Sequence, residues 1–300
     1  MKIAVTGSTG MIGTAVCDYF RRRGDQLFHI IRSETKYKGS EPTVFWNIEK
    51  GSMDSQALEG MDAVVHLAGA SIADRRWTKE YKEVILKSRE EGTRLLSQTL
   101  AGLKRRPKVF ISVSAVGYYG AHDTSMSLTE ESPPGKDFLA QVCQHWEKET
   151  QAAREAGIRT VILRIGMVLS REGGALGKMR PVFKMGLGGR LGNGHQIISC
   201  IALDDIPSIM QFIMEHDNIN GAVNVVSPEA VSNAEFTKIL GKVIRRPTLF
   251  PVPPFAVRLL FGEMADVLLL SGARVIPQKL KQAGYSFRYT HLEDALKAVI

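Results

Sequence analysis

An α/β architecture is expected, a doubly wound parallel sheet with a smaller C-terminal lobe, and three observations predict it. Short apolar runs rich in β-formers alternate with helical stretches over the first two-thirds of the chain, the pattern of successive βαβ units. A glycine triplet, Gly7, Gly10 and Gly13, stands directly between the first such run and the first helix. Beyond about residue 169 the chain changes character, with Gly173, Gly174, Gly177, Gly186, Gly188, Gly189, Gly192 and Gly194 set among basic and apolar residues. That density of glycine reads as a lobe whose backbone makes tight turns. The expected division gives residues 1–168 plus about 203–227 to a dinucleotide-binding sheet domain, and about 169–202 plus 228–300 to a substrate lobe.

The elements follow in order. Residues 2–6 form the first strand, the glycine turn comes next, and a helix starts near Met11 and stops at Arg23-Gly24-Asp25. Residues 27–31, 43–46 and 63–67 are the next strands, and the last runs into Ala68-Gly69-Ala70. Helical spacing of Tyr81, Val84, Ile85, Ser88, Leu95, Leu96 and Leu100 marks a helix over 77–102 that ends on a glycine. Residues 108–113 are a strand leading into Ser114 to Gly120, and 121–136 is a polar loop punctuated by Pro133-Pro134-Gly135. A helix over about 138–156 and a strand at 160–163 follow. In the last third, 196–201 and 222–226 read as strands, and 205–214, 234–243, 255–270, 277–284 and 292–299 as helices, with 247–254 extended by its prolines.

Composition narrows the function classes. An apolar content of 44% over 300 residues supports a sizeable core, and no apolar run is long enough to span a membrane. The net charge of +8 comes from scattered doublets such as Arg75-Arg76, Arg105-Arg106 and Arg245-Arg246, without interleaved aromatics. No nucleic-acid or membrane partner is therefore expected. With the first strand starting at Lys2, no signal or transit peptide is expected. Cys17, Cys143 and Cys200 lie far apart and in no metal spacing, as in a protein of the reducing cytoplasm.

Ligands of doubly wound sheets bind beyond the C-terminal ends of the strands. Gly7, Arg32, Ala68, Ser114 and Ile165 each follow an expected strand, so they converge on one edge. Glycines there let the backbone turn tightly and approach a pyrophosphate, and the following helix N-terminus offers N–H donors. At the end of the second strand stand Arg32 and Ser33, with no acid before Glu34. An acid at that place hydrogen-bonds the ribose of NAD, whereas a guanidinium matches the 2′-phosphate of NADP. The expected cofactor is NADP, with Asn47 near the adenine.

Several motifs in sequence order resemble the extended short-chain dehydrogenase/reductase superfamily, the NAD(P)-dependent epimerase/dehydratase type with a Rossmann domain. They are TGSTGMIG (6–13), HLAG (66–69), RRW (75–77), SR (88–89), SAVGYYG (114–120), WE (146–147), GLGGRLGNGHQ (186–196) and the segment 251–287. Together they are most similar to an atypical branch of epimerase family proteins, some of them called cell-division-inhibitor-like. The resemblance implies a cofactor set of Thr6, Gly7, Thr9, Gly10, Met11, Ile12, Gly13, Arg32, Ser33, Leu67, Ala68, Gly69, Arg89, and Ile165 to Val168.

The departures from the superfamily pattern are informative. Its chemistry uses a tyrosine and, four residues later, a lysine. Anchored on Glu147, the corresponding helix here places Leu139 and Cys143 at those positions, and neither can transfer the proton. Ser114 and Tyr119 are the candidate replacements, while His145 reads as a surface residue and Glu130-Glu131 as a solvated loop pair. The arginine that meets the diphosphate in sugar-nucleotide epimerases is replaced by Ile198. Lys178, Arg180, Lys184 or Arg190 are then the anion contacts left for a substrate. Three functions stay open: an NADP(H)-dependent oxidoreductase or epimerase-like enzyme on an unknown small molecule; a non-catalytic NADP-binding sensor or interaction protein, linked to cell division; and a sugar-nucleotide epimerase. The oligomeric state, monomer or dimer, is left open as well.

Overall fold

A computed structural model of the chain describes residues 1–32, 39–122 and 125–300. In chain order the elements are β1 (Lys2–Thr6), α1 (Met11–Arg22), β2 (Gln26–Ile31), β3 (Thr43–Asn47), β4 (Ser52–Met53), β5 (Ala63–His66), α2 (Lys79–Gly102), β6 (Val109–Ala115), β7 (Ser127–Leu128), α3 (Phe138–Lys148), α4 (Gln151–Glu155), β8 (Arg159–Ile165), β9 (Met167–Leu169), α5 (Gly174–Lys184), β10 (Ile197–Ile198), β11 (Cys200–Ala202), α6 (Asp205–Glu215), β12 (Gly221–Val225), β13 (Val231–Ser232), α7 (Asn233–Ile244), α8 (Pro254–Phe261), β14 (Arg274–Val275), α9 (Gln278–Gln282) and α10 (Leu292–Val299).

One eight-stranded sheet organises them, in the order β12, β8, β6, β5, β1, β2, β3, β4. Every pair from β12 to β3 is parallel, and β4 adds an antiparallel edge. The chain starts in the middle of the sheet and winds outward in both directions, so the winding reverses between β1 and β5. This is the doubly wound Rossmann arrangement, and its ligand crevice lies where the order reverses.

Helices cover both faces, which is why the strands read as nearly unbroken apolar runs. Ile3, Val5, Val65, Val161 and Leu163 bury one face with Val16 and Phe20 of α1 and Ile206, Ile209 and Ile213 of α6. Ala4, Val64 and Phe110 bury the opposite face with Leu96 and Leu100 of α2 and Ala153 of α4. A separate core joins Leu169, Leu176, Phe183, Phe236, Leu240, Leu292 and Leu296 from β9, α5, α7 and α10. Among the described residues no helix is long and apolar enough to cross a membrane.

Three elements differ from the sequence expectation. The helix expected over 138–156 breaks after Lys148, where the Thr150 hydroxyl donates to the Glu147 carbonyl at 2.7 Å and α4 restarts at Gln151. The glycine-rich stretch contains a full helix, α5, because Leu176 and Phe183 bury one stripe of it despite Pro181. The helix expected over 255–270 divides at Gly262, whose φ of +61° ends α8.

Candidate functional site

The first strand delivers Thr6 and Gly7 to the C-terminal edge of the sheet, at the reversal point. Gly7 has φ +63°, and a Cβ there would sit 2.9 Å from the Leu67 carbonyl carbon. The glycine turn after β1 and the turn after β5 therefore press backbone against backbone. Gly13 is just as constrained, since a Cβ would lie 2.1 Å from the Gly7 carbonyl oxygen. Only glycine allows α1 to start so close under the turn. The first turn of α1 carries no acid, and Gly10 at its N-cap has no side chain to cap it. Its N–H groups are thus left for an anion.

The predicted cofactor residues assemble around this cradle. Thr9 and Gly10 are exposed at its rim, as are Gly69 and Arg32. Met11 lies against Gly173 and Gly174 at the start of α5. Ile12, Leu67 and Val168 pack on the edge of the core, and Ile165 closes β8. Ser33 lies outside the described residues, so its place in the site is not described. Asn47 turns its side chain to its own loop, accepting from the Lys50 N–H at 3.0 Å.

Thr6 ties the two turns together. Its hydroxyl oxygen accepts from the N–H groups of Leu67 at 2.9 Å and Ala68 at 3.1 Å, and it meets His66 Nδ1 at 2.8 Å. The other ring nitrogen of His66 meets the Thr93 hydroxyl at 2.9 Å. All three side chains are fully buried, and burial holds the His66 pKa down at about 3, so the ring is neutral.

Arg89 emerges from α2 beside the same turn. A Cβ on Gly69 would meet its guanidinium carbon at 3.3 Å, and that guanidinium stacks over Trp146 at 4.8 Å. Burial lowers its pKa, and among the described residues no carboxylate pairs with it. A half-buried guanidinium without a counter-charge beside a glycine turn is an anion contact in waiting.

The two predicted catalytic residues sit elsewhere, in a closed network. Ser114 is 2% exposed and donates to Glu147 Oε1 at 2.8 Å. Arg164 grips both oxygens of Glu147, with Nε at 2.9 Å and Nη2 at 2.8 Å. Its Nη1 donates to the Tyr119 hydroxyl at 3.0 Å and to the Glu130 carbonyl at 3.2 Å. Tyr119 is wholly buried and donates in turn to Asn224 Oδ1 at 2.7 Å. Burial pushes its pKa up to about 12. The Tyr119 hydroxyl, a candidate proton donor from the sequence, is thus hydrogen-bonded on both sides and closed to solvent. The reading of Glu130 as part of a solvated loop pair is corrected. Glu130 is buried, and its carboxylate accepts the Asn224 and Lys279 N–H groups at 3.0 and 3.2 Å, while Glu131 is exposed.

At the superfamily's tyrosine and lysine positions, Leu139 and Cys143 are buried against the backbone of Gly117. Burial raises the Cys143 pKa to about 11, which keeps it a neutral thiol. His145 is exposed and pairs with Glu90 at 2.7 Å. Lys178 is used by Ala73 and Asp74, and His195 points to solvent.

Comparison with known proteins agrees with this fold. Residues 3–226 match the NAD dependent epimerase/dehydratase family, and residues 252–299 match a domain of unknown function. The chain belongs to the NAD-dependent epimerase/dehydratase family. An epimerase family protein of Mycobacterium leprae is 40% identical over 294 residues, covering 98% of this chain and 94% of that one. The epimerase family protein SDR39U1 of Homo sapiens is 34% identical over 305 residues, covering 100% of both. The crystal structure of the human protein with NADPH superposes with a TM-score of 0.91 at 32% identity, over 100% of this chain and 99% of that one. A UDP-glucose 4-epimerase of Thermotoga maritima, solved with UDP-glucose, shares the fold alone, with a TM-score of 0.79 at 21% identity over 100% of this chain and 97% of that one.

The sequence reading missed the Arg164 network and the His66 link. Both left a signal in the chain: a lone arginine inside an apolar strand, and a histidine closing another. Buried groups of that kind need partners.

Proposed function

We propose that the protein is an NADP(H)-binding oxidoreductase or epimerase-like enzyme of the extended short-chain dehydrogenase type, acting on a small molecule without a Tyr-x-x-x-Lys pair. The glycine cradle carries this reading. The 67–68 turn presses on Gly7 and the glycine turn itself presses on Gly13, so neither admits a side chain, under an uncapped helix N-terminus. That arrangement fits a pyrophosphate, held by the residue 7–13 turn, with Leu67 to Gly69 alongside and Arg89 as a further anion contact. Exposed Arg32 at the end of β2 would take the 2′-phosphate. The NADPH recorded for the similar human protein supports the same choice. The nicotinamide, when bound, supplies hydride transfer. Both candidate hydroxyls for the proton are engaged in this structure, Ser114 with Glu147 and Tyr119 with Asn224.

Specificity tests the reading. In fluorescence titrations the wild type is expected to prefer NADPH over NADH. Arg32→Ala should weaken NADPH by roughly 1.5–3 kcal/mol, the worth of one charge-assisted pair, and leave NADH nearly unchanged. Equal losses for both, or no binding by the wild type, would refute it.

A second reading, a non-catalytic NADP-dependent sensor, is favoured by the closed state of Tyr119, Leu139 and Cys143. NADPH oxidation on a panel of carbonyl compounds and sugar nucleotides separates the two. Ile198, half-buried against the lobe core, leaves no arginine at the position that meets the diphosphate in sugar-nucleotide epimerases. Three buried free cysteines accord with a reducing, cytoplasmic setting.

A further inference from the structure

The hydrogen bonds around Thr6 fix a protonation state. A threonine hydroxyl has one proton and two acceptor lone pairs. The Leu67 and Ala68 N–H groups, at 2.9 and 3.1 Å, take both lone pairs. The single proton must then point at His66 Nδ1, 2.8 Å away. Nδ1 is therefore the acceptor, and the ring proton sits on Nε2, from which it is donated to the Thr93 hydroxyl at 2.9 Å. The ring is flanked by Trp46 and Phe110, at centroid distances of 6.0 and 6.4 Å, which offer it no competing polar partner.

A second proton on Nδ1 would set two donors face to face. Thr6 would then have to turn its own proton away and give up a lone pair to the ring, releasing Leu67 or Ala68. The neutral tautomer is what keeps both N–H groups clamped.

We propose that His66 is a positioning residue for the dinucleotide: as its Nε2–H tautomer it orients the Thr6 hydroxyl, which clamps the 67–69 turn against the glycine turn. The inference rests on the cofactor site proposed above. Its leverage comes from the tight approach of the two turns, since the Leu67–Ala68 backbone already lies 2.9–3.0 Å from where a Gly7 Cβ would be. A turn released by even a fraction of an ångström changes the wall of the cradle.

Two measurements on the full chain test it. Long-range ¹H–¹⁵N spectra of histidine-labelled wild type should show His66 with Nε2 protonated and Nδ1 bare, unchanged from about pH 8 to about pH 5. The opposite tautomer, or titration of His66 in that range, overturns the proposal without any variant having to fold. NADPH titration of His66→Asn and His66→Leu is the second measurement. Asn keeps an acceptor near the Nδ1 position, and Leu removes it. Leu should weaken NADPH about tenfold and Asn should restore most of that loss, the value of one hydrogen bond. A wild type that binds no dinucleotide removes the site and the positioning role together. A tight wild type with an equally tight Leu variant removes the positioning role alone.

Discussion

At β1 and β5 the sheet carries a neutral hydrogen-bonded chain, Thr6 to His66 to Thr93. At β6, β8 and β12, on the same sheet, it carries a charged one, Ser114 to Glu147 to Arg164 to Tyr119 to Asn224. The registers align each chain across its strands: Thr6 faces His66, while Ser114 faces Arg164 and Arg164 faces Asn224. The neutral chain commits its acceptors to the backbone of a turn whose outer rim stays open. The charged chain uses four of the five N–H donors of Arg164 inside the protein. The two ends of the crevice therefore have different tasks. One ties the 67–68 turn to the end of β1, and the other holds three strands and α3 together where the superfamily would place its reacting tyrosine and lysine.

The largest effect is expected from cutting the charged chain. Burial opposes the Arg164 charge, and the Glu147 carboxylate more than offsets this, so the arginine pKa is raised. Glu147→Ala would strand that guanidinium and should destabilise the fold by about 3–5 kcal/mol in urea denaturation. The double variant Arg164→Met with Glu147→Leu should recover much of the loss, because neither charge is then left unpaired. If Glu147→Ala unfolds no more easily than wild type, the charged chain is not the structural tie its geometry indicates.

The neutral chain can be separated from it by pH. The folded-state pKa of His66 is lowered from 6.5 to about 3 by burial. Below about pH 6.5 the unfolded chain takes up a proton that the folded one refuses. The stability contributed by this group is thus intact at neutral pH and lost as pH falls, by about 2 kcal/mol at about pH 5. Comparing wild type with His66→Asn isolates this loss from that of the carboxylates. A variant whose acid stability tracks the wild type would mean that His66 is protonated in the fold, and the contrast between the two chains would fail.

These contrasts were unevenly legible in the sequence. The strands stood out because a parallel sheet covered on both faces favours near-continuous apolar runs, as in Ala63 to Val65. The glycine turn stood out because backbone crowding excludes every other residue at Gly7 and Gly13. The charged chain did not, because its partners meet only through tertiary pairing. Arg164 and Glu147 are 17 positions apart, and Arg164 and Tyr119 are 45 apart, joined by the β6–β8 register. Glu130 sits in a polar loop, so local sequence marks it as solvated, yet β12 and α9 bring N–H donors to it. Helix α5 was hidden by its glycines and Pro181, which lower propensity but leave Leu176 and Phe183 free to pack.

The smallest effect bears most directly on chemistry. Tyr119→Phe removes one hydroxyl, leaving Asn224 Oδ1 without its 2.7 Å donor while Asn224 Nδ2 keeps the Ile276 carbonyl at 3.0 Å. Arg164 loses one of four acceptors and keeps Glu147 and the Glu130 carbonyl. The expected cost is about 1 kcal/mol in thermal unfolding, with the NADPH dissociation constant unchanged, because none of these groups touches the glycine cradle. The decisive measurement is any NADPH oxidation found on the substrate panel. If Tyr119→Phe abolishes it while stability falls by no more than that amount, the phenol takes part in the reaction, and the charged chain is a proton path that opens on binding. If turnover survives, the proton comes from a group outside this chain or from the substrate itself.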